Sequence, residues 1–180
     1  PMKYGHDKEK VFMLIRKLVL ENRNIDPTQT IEEIFDKKYD KDKYNTEYSA
    51  SWADIKKASS NPLCTIGAHT ISHRNLSLLQ EDEARKEINE SKKKIESNIN
   101  KCVNHIAYPF GGEHECGDRE FLLAKQAGFH LGLTTKWGCT FNSHSKNILS
   151  LPRIHMTDKI NWNKLQLQIL KRTYYNSRMS

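Results

Sequence analysis

The sequence predicts an α/β fold with a largely parallel sheet or barrel. Two observations carry this. Four apolar runs of strand length stand at 63–67, 105–108, 129–135 and 148–154. Two segments with helical periodicity separate the first three runs, so the order reads strand, helix, strand, helix, strand, strand. Parallel strands need long crossovers, and helices are the usual ones.

The elements follow in chain order. Val11, Phe12, Ile15, Leu18 and Val19 recur at helical spacing, and Asp7 is placed to cap that first helix. Thr30-Ile31-Glu32-Glu33 matches a capping box for a short helix. The Lys-, Asp-, Tyr- and Asn-rich stretch from Asp36 to Ser51 suits an exposed insertion. Ser51, with Asp54 three residues on, starts another short helix. Leu63-Cys64-Thr65-Ile66-Gly67 then reads as a buried strand. In the long helix that follows, Ala84, Ile88, Ser91, Ile95, Ile99 and Cys102 form one face, and six acids and six bases between Glu81 and Lys101 form a solvated one.

His105 to Tyr108 is the next strand, closed by Pro109 and Gly111-Gly112. Asp118 caps a third helix and Gly128 ends it. Phe129–Thr135 and Ile148–Ile154 are the last strands. Trp162, Leu165, Ile169 and Thr173 outline a closing amphipathic helix.

Charge argues against a nucleic-acid partner. The net charge is +7, but residues 1–60 and 61–158 each carry twelve bases against eleven acids. The last twenty-two residues hold five bases (Lys159, Lys164, Lys171, Arg172, Arg178) and no acid, a solvated tail rather than a basic stripe. No run of about 18 apolar residues exists to span a membrane. Cys64, Cys102, Cys116 and Cys139 are too widely spaced for a C-x-x-C pair and read as buried free thiols. Compartment and oligomeric state stay open.

Two motifs carry chemistry. In Gly67-Ala68-His69-Thr70-Ile71-Ser72-His73, two imidazoles four residues apart follow a strand, where they can converge on one metal ion. A zinc site would need a third ligand and an open position for water. In Ala107-Tyr108-Pro109-Phe110-Gly111-Gly112, a proline and two glycines make a sharp turn able to present backbone N–H groups to an oxyanion.

Together these residues resemble the NodB-like polysaccharide deacetylases (carbohydrate esterase family 4). Trp52 leading into Ile66–His73 and Asn75-Leu76-Ser77 is similar to the family's second motif, and Ala107–Gly112 to a Tyr-Pro-Phe/Tyr-Gly variant of its third. Ala124–Phe129 into Thr134-Thr135, and Leu151-Pro152-Arg153-Ile154, resemble the later helix and strands. The resemblance covers roughly residues 50–158. It implies a truncated or incomplete (β/α) barrel without its first strands: a helical or insertion segment over 1–50, the C-terminal part of a deacetylase domain over 51–158, and a basic C-terminal helix or tail over 159–180.

The resemblance further implies metal-dependent hydrolysis of N-acetyl groups on a polysaccharide or oligosaccharide. His69 and His73 would be ligands to a divalent metal, zinc by expectation, with Thr70 orienting them. The Phe110 N–H would face the oxyanion, and Tyr108, Pro109 and Trp137 would line the glycan groove. His155 is the candidate general acid, with His144 the alternative. A Thr-Phe-Asp-Asp-Gly-like strand end, which would supply the base and third ligand, is not found. Asp40 and Asp42 lie in a charged run without a strand before them. A non-catalytic carbohydrate-binding remnant of the same fold is therefore the competing reading.

Overall fold

The computed structural model describes residues 5–21, 32, 40–156, 161–163, 165–167 and 169–170. Its elements are α1 (Gly5–Glu21), α2 (Lys41–Tyr48), α3 (Trp52–Ser59), α4 (Glu81–Ile99), β1 (His105–Ala107), α5 (Asp118–Gln126), β2 (Leu131–Trp137) and β3 (Leu151–Arg153). The Thr30 capping box and Thr173 lie outside the described residues.

The three strands form one parallel sheet in the order β1-β2-β3, so strands consecutive in sequence are neighbours in space. Ala68 adds a single parallel bridge on the far side of β1, opposite Ile106. That bridge is all the regular pairing that 63–67 leads into. Leu63 is 94% exposed and lies in a turn closed by the Cys64 N–H on the Asn61 carbonyl, so the expected buried strand does not form there. Among the described residues the sheet is open, not closed.

Side chains explain the elements. Ser51 and Asp54 cap each other reciprocally at the start of α3, as expected. Helix α4 begins with Glu81, Asp82 and Glu83, acids that suit the positive end of the helix dipole, and it ends at Asn100 in the left-handed region. Ala84, Ile88, Ser91 and Ile99 are its buried stripe, packed with Ile106, Tyr108, Val103, Leu76 and Phe121 in the core. Cys102 departs from the predicted stripe and is exposed, while Cys64 and Cys139 are half-buried; Cys116 alone of the four is buried.

Other expectations shift locally. Asp7 lies inside α1 rather than at its cap. On the face of α1 that its periodicity suggests, Val11 and Ile15 are half-buried while Phe12 and Leu18 are exposed. Part of the polar 36–51 stretch is helical, in α2, and exposed where described. Gly117, not Asp118, occupies the cap of α5, its N–H donating to Glu120 at 2.8 Å. Residues 142–150 form short 3-10 turns rather than the start of a strand.

Directly after β1 the Tyr108 ring is fully buried, and its hydroxyl donates to the Leu149 carbonyl at 2.9 Å. Gly132 on β2 is obligatory there: a Cβ would lie 2.7 Å from the Tyr108 hydroxyl and closer still to the Leu149 carbonyl oxygen.

Candidate functional site

Because the strands are parallel, their C-terminal ends share one edge of the sheet. That edge receives His69 after Ala68, Phe110 after β1, Trp137 at the end of β2 and His155 after β3. It is where α/β folds place ligands.

The loop after Ala68 is held from two directions. On one side, His69 Nδ1 lies 2.7 Å from the Ala107 carbonyl oxygen. On the other, one carboxylate, Glu87 of α4, accepts from the Ile71 N–H and the Ser72 N–H at 2.9 Å each and from the Ser72 hydroxyl at 2.5 Å. Between these anchors Thr70 and His73 adopt positive φ, 62° and 55°. Such backbone costs a non-glycine residue about 1 kcal/mol or more and persists only where surroundings over-determine it. Beyond the loop, Asn75 caps the turn at Leu76–Leu78, and Arg119 donates to the Leu76 and Leu79 carbonyls.

The result is a compact cluster. The His69 and His73 rings are edge-to-face with centroids 4.8 Å apart, and His73 meets the Phe110 ring at 4.9 Å. Since a carbonyl oxygen can only accept, the His69 contact requires a proton on Nδ1 and leaves Nε2 as the nitrogen not engaged by Ala107. Burial, with the neighbouring His69 second, lowers the pKa of His73 below its ordinary value and favours its neutral form. Two imidazoles side by side, one with its Nδ1 tied to a backbone carbonyl, are donors suited to a borderline-soft divalent ion. Among the described residues no third His, Cys, Asp or Glu completes a metal-binding group with them. Asp40 instead caps α2 through the Lys43 N–H at 3.0 Å.

The turn after β1 is also unusual. Phe110 and Gly111 both have positive φ, 59° and 63°. Thr135 of β2 clamps the turn, its hydroxyl donating to the Phe110 carbonyl and its N–H to the Gly111 carbonyl. The Phe110 N–H makes no hydrogen bond to the described residues.

Several expected site residues are placed differently. Tyr108 and Pro109 are fully buried, so neither side chain can line a groove. Burial also drives the Tyr108 pKa up, holding its hydroxyl protonated for Leu149. The Thr70 hydroxyl is enclosed and bonds to nothing among the described residues, so it does not orient the histidines by hydrogen bonding. Trp137 is half-buried at the sheet edge, and His155 is exposed just past β3. His144 is occupied locally: its Nδ1 accepts from the Phe141 N–H at 3.0 Å and its ring stacks on Phe141. Glu87 escapes the sequence pattern, being one of six acids on a helix face that looks merely solvated.

The model of the polysaccharide deacetylase family matches residues 19–132. The chain belongs to the polysaccharide deacetylase family. Among solved structures it is similar to the Streptococcus pyogenes deacetylase PplD in complex with acetate, with TM-score 0.59 and 24% identity over 70% of this chain and 54% of that one. It is also similar to the Bacillus anthracis protein BA0330, described as a polysaccharide deacetylase (TM-score 0.58, 25% identity, 69% of this chain and 38% of that one). A third is BC0361, a polysaccharide deacetylase from Bacillus cereus (TM-score 0.56, 23% identity, 66% and 36%). No curated protein matches. The chain thus spans about half or less of these deacetylases' length, and its open parallel sheet is part of their barrel. Among the described residues no helix is long and apolar enough to cross a membrane.

Proposed function

We propose that this chain is the C-terminal part of a metal-dependent deacetylase that removes N-acetyl groups from a polysaccharide or oligosaccharide. The observation that carries the reading is the 4.8 Å approach of the His69 and His73 rings, with His69 Nδ1 anchored on Ala107. Acetate held by the Streptococcus pyogenes neighbour is the product expected of such a reaction and supports the reading.

His69 and His73 would hold the ion, zinc by donor chemistry, which supplies a Lewis acid for the acetamide carbonyl and an acidified water. The Phe110 N–H, which makes no hydrogen bond to the described residues, would donate to the oxyanion that develops on that carbonyl. His155 is assigned as the acid that protonates the departing sugar amine. His144 is the weaker choice, because its Nδ1 already accepts from Phe141. Trp137 would wall the glycan groove at the end of β2.

A base and a third metal ligand are not supplied by these residues, so the 180-residue chain alone is proposed to be incompetent. Acetate release from an N-acetylglucosamine oligomer, with excess zinc, is the test. Release is expected from a longer form carrying an Asp-Asp strand end, and not from this chain. Equal release from both would mean that the active site is mislocated. Glycan binding without acetate release from either form would favour the carbohydrate-binding remnant.

A further inference from the structure

We infer that Glu87 is the positioning residue of the histidine pair, setting the loop conformation that turns His69 and His73 toward each other. Its importance for catalysis rests on the proposed deacetylase reading; its effect on loop geometry does not.

The argument begins with hydrogen-bond accounting. The five residues from His69 to His73 make a tight loop with two left-handed non-glycine positions, Thr70 and His73. Such a loop turns consecutive N–H groups outward in the same direction, away from any sheet partner. Ile71 and Ser72 both point theirs at a single oxygen of Glu87, 2.9 Å from each. The other Glu87 oxygen takes the Ser72 hydroxyl. One carboxylate therefore receives all three donors from the two residues lying between Thr70 and His73. Charge-assisted bonds of this kind are stronger than neutral ones and fix direction as well as distance.

The carboxylate is itself held in place. Glu87 sits on α4 next to Ile88, which is fully buried in the core. The helix is thus registered against the sheet by its apolar stripe, and its polar face presents the anchor to the loop. The opposite anchor is the Ala107 carbonyl that receives His69. With the loop tied to α4 at its middle and to β1 at its start, the ψ and φ of Thr70 and His73 have little freedom. The ring contacts of His73 with His69 and Phe110 follow from that.

The inference is tested on the metal-free chain by NMR contacts between ring protons of His73 and Phe110 and of His73 and His69. Glu87→Ala removes the acceptors of all three bonds, and both ring contacts are expected to disappear while the amide signals of β2 and β3 keep their positions. Glu87→Asp withdraws the carboxylate from the loop but keeps its charge on the helix. It is expected to lose the same contacts, and it carries the test if the alanine variant does not fold. Glu87→Gln retains an oxygen for the two N–H groups and should retain the contacts.

Glu90 lies one turn along α4 and pairs with Lys93 at 3.0 Å; Glu90→Ala should change neither contact. Zinc affinity, measured by competition with a chromophoric chelator, should fall about 10–100-fold in Glu87→Ala and less in Glu87→Gln. Ring contacts preserved in a folded Glu87→Ala or Glu87→Asp chain would overturn the inference. Failure of a longer form carrying the Asp-Asp strand end to bind zinc would count against the deacetylase reading and leave the ring-contact test intact.

Discussion

His69 Nδ1 lies 2.7 Å from the Ala107 carbonyl oxygen, the last carbonyl of β1. This bond joins the two motifs that the sequence presents separately, because the strand that leads into the Phe110 turn also orients the first histidine. It sets the tautomer: the acceptor is a carbonyl, so Nδ1 carries the proton. Nitrogen NMR of the metal-free chain near neutral pH should show His69 as the Nδ1–H form. An Nε2–H signal would mean that Ala107 does not anchor the ring.

The histidine pair also predicts a pH dependence. The pKa of His73 is lowered from 6.5, first by burial and then by the charge of His69. The unfolded chain then binds more protons than the folded one once pH falls below the ordinary value. Stability contributed by neutral His73 is present above about pH 6.5 and is lost as pH falls through the lowered folded value. Denaturant midpoints across this range should fall with acidification, and His73→Asn should flatten the slope. An unchanged slope in that variant would assign the effect to another group. Zinc affinity should weaken over the same window, since protonated imidazole cannot ligate.

Burial of Tyr108 removes its side chain from any surface groove. Tyr108→Phe deletes the donor to Leu149 and leaves that carbonyl buried without a partner. The expected loss is about 1–3 kcal/mol in denaturant unfolding, with no change in oligosaccharide affinity. Weaker glycan binding at unchanged stability would return the side chain to the groove.

Gly132 provides an independent check on the same packing. Gly132→Ala places a methyl against the Tyr108 hydroxyl and the Leu149 carbonyl. Overpacking of this kind costs about 1–3 kcal/mol, so the variant should unfold at lower denaturant than the parent. A midpoint equal to the parent's would show that the 149–151 segment can move aside.

The proposed reading predicts different outcomes for the two later histidines. In a form with deacetylase activity, His155→Ala should lower turnover by about 10²–10⁴ without changing metal content. His144→Ala should leave turnover close to the parent's and affect only the local turn with Phe141. Reversal of these two results would transfer the acid role to His144.

Much of this protein is set by its sequence. The 3.6-residue stripe of α4, the Ser51–Asp54 capping box, the strand around Ile106 and the four-residue spacing of His69 and His73 are local patterns, legible because neighbouring residues create them. Other features depend on contacts between segments far apart in sequence. Leu63–Gly67 has the composition of a strand, but only Ala68 finds a partner, because pairing is made by β1 and not by the run itself. Tyr108 resembles a groove aromatic until β2 and the Leu149 carbonyl enclose it. Glu87 is indistinguishable by periodicity from the other acids of α4. It becomes the anchor of the histidine loop only when the core registers that helix against the sheet, fifteen to sixteen residues from the donors it receives. Sequence fixes which residues can form each element, while hydrogen-bond partners across elements are decided by packing, and packing alone brings that carboxylate to the loop.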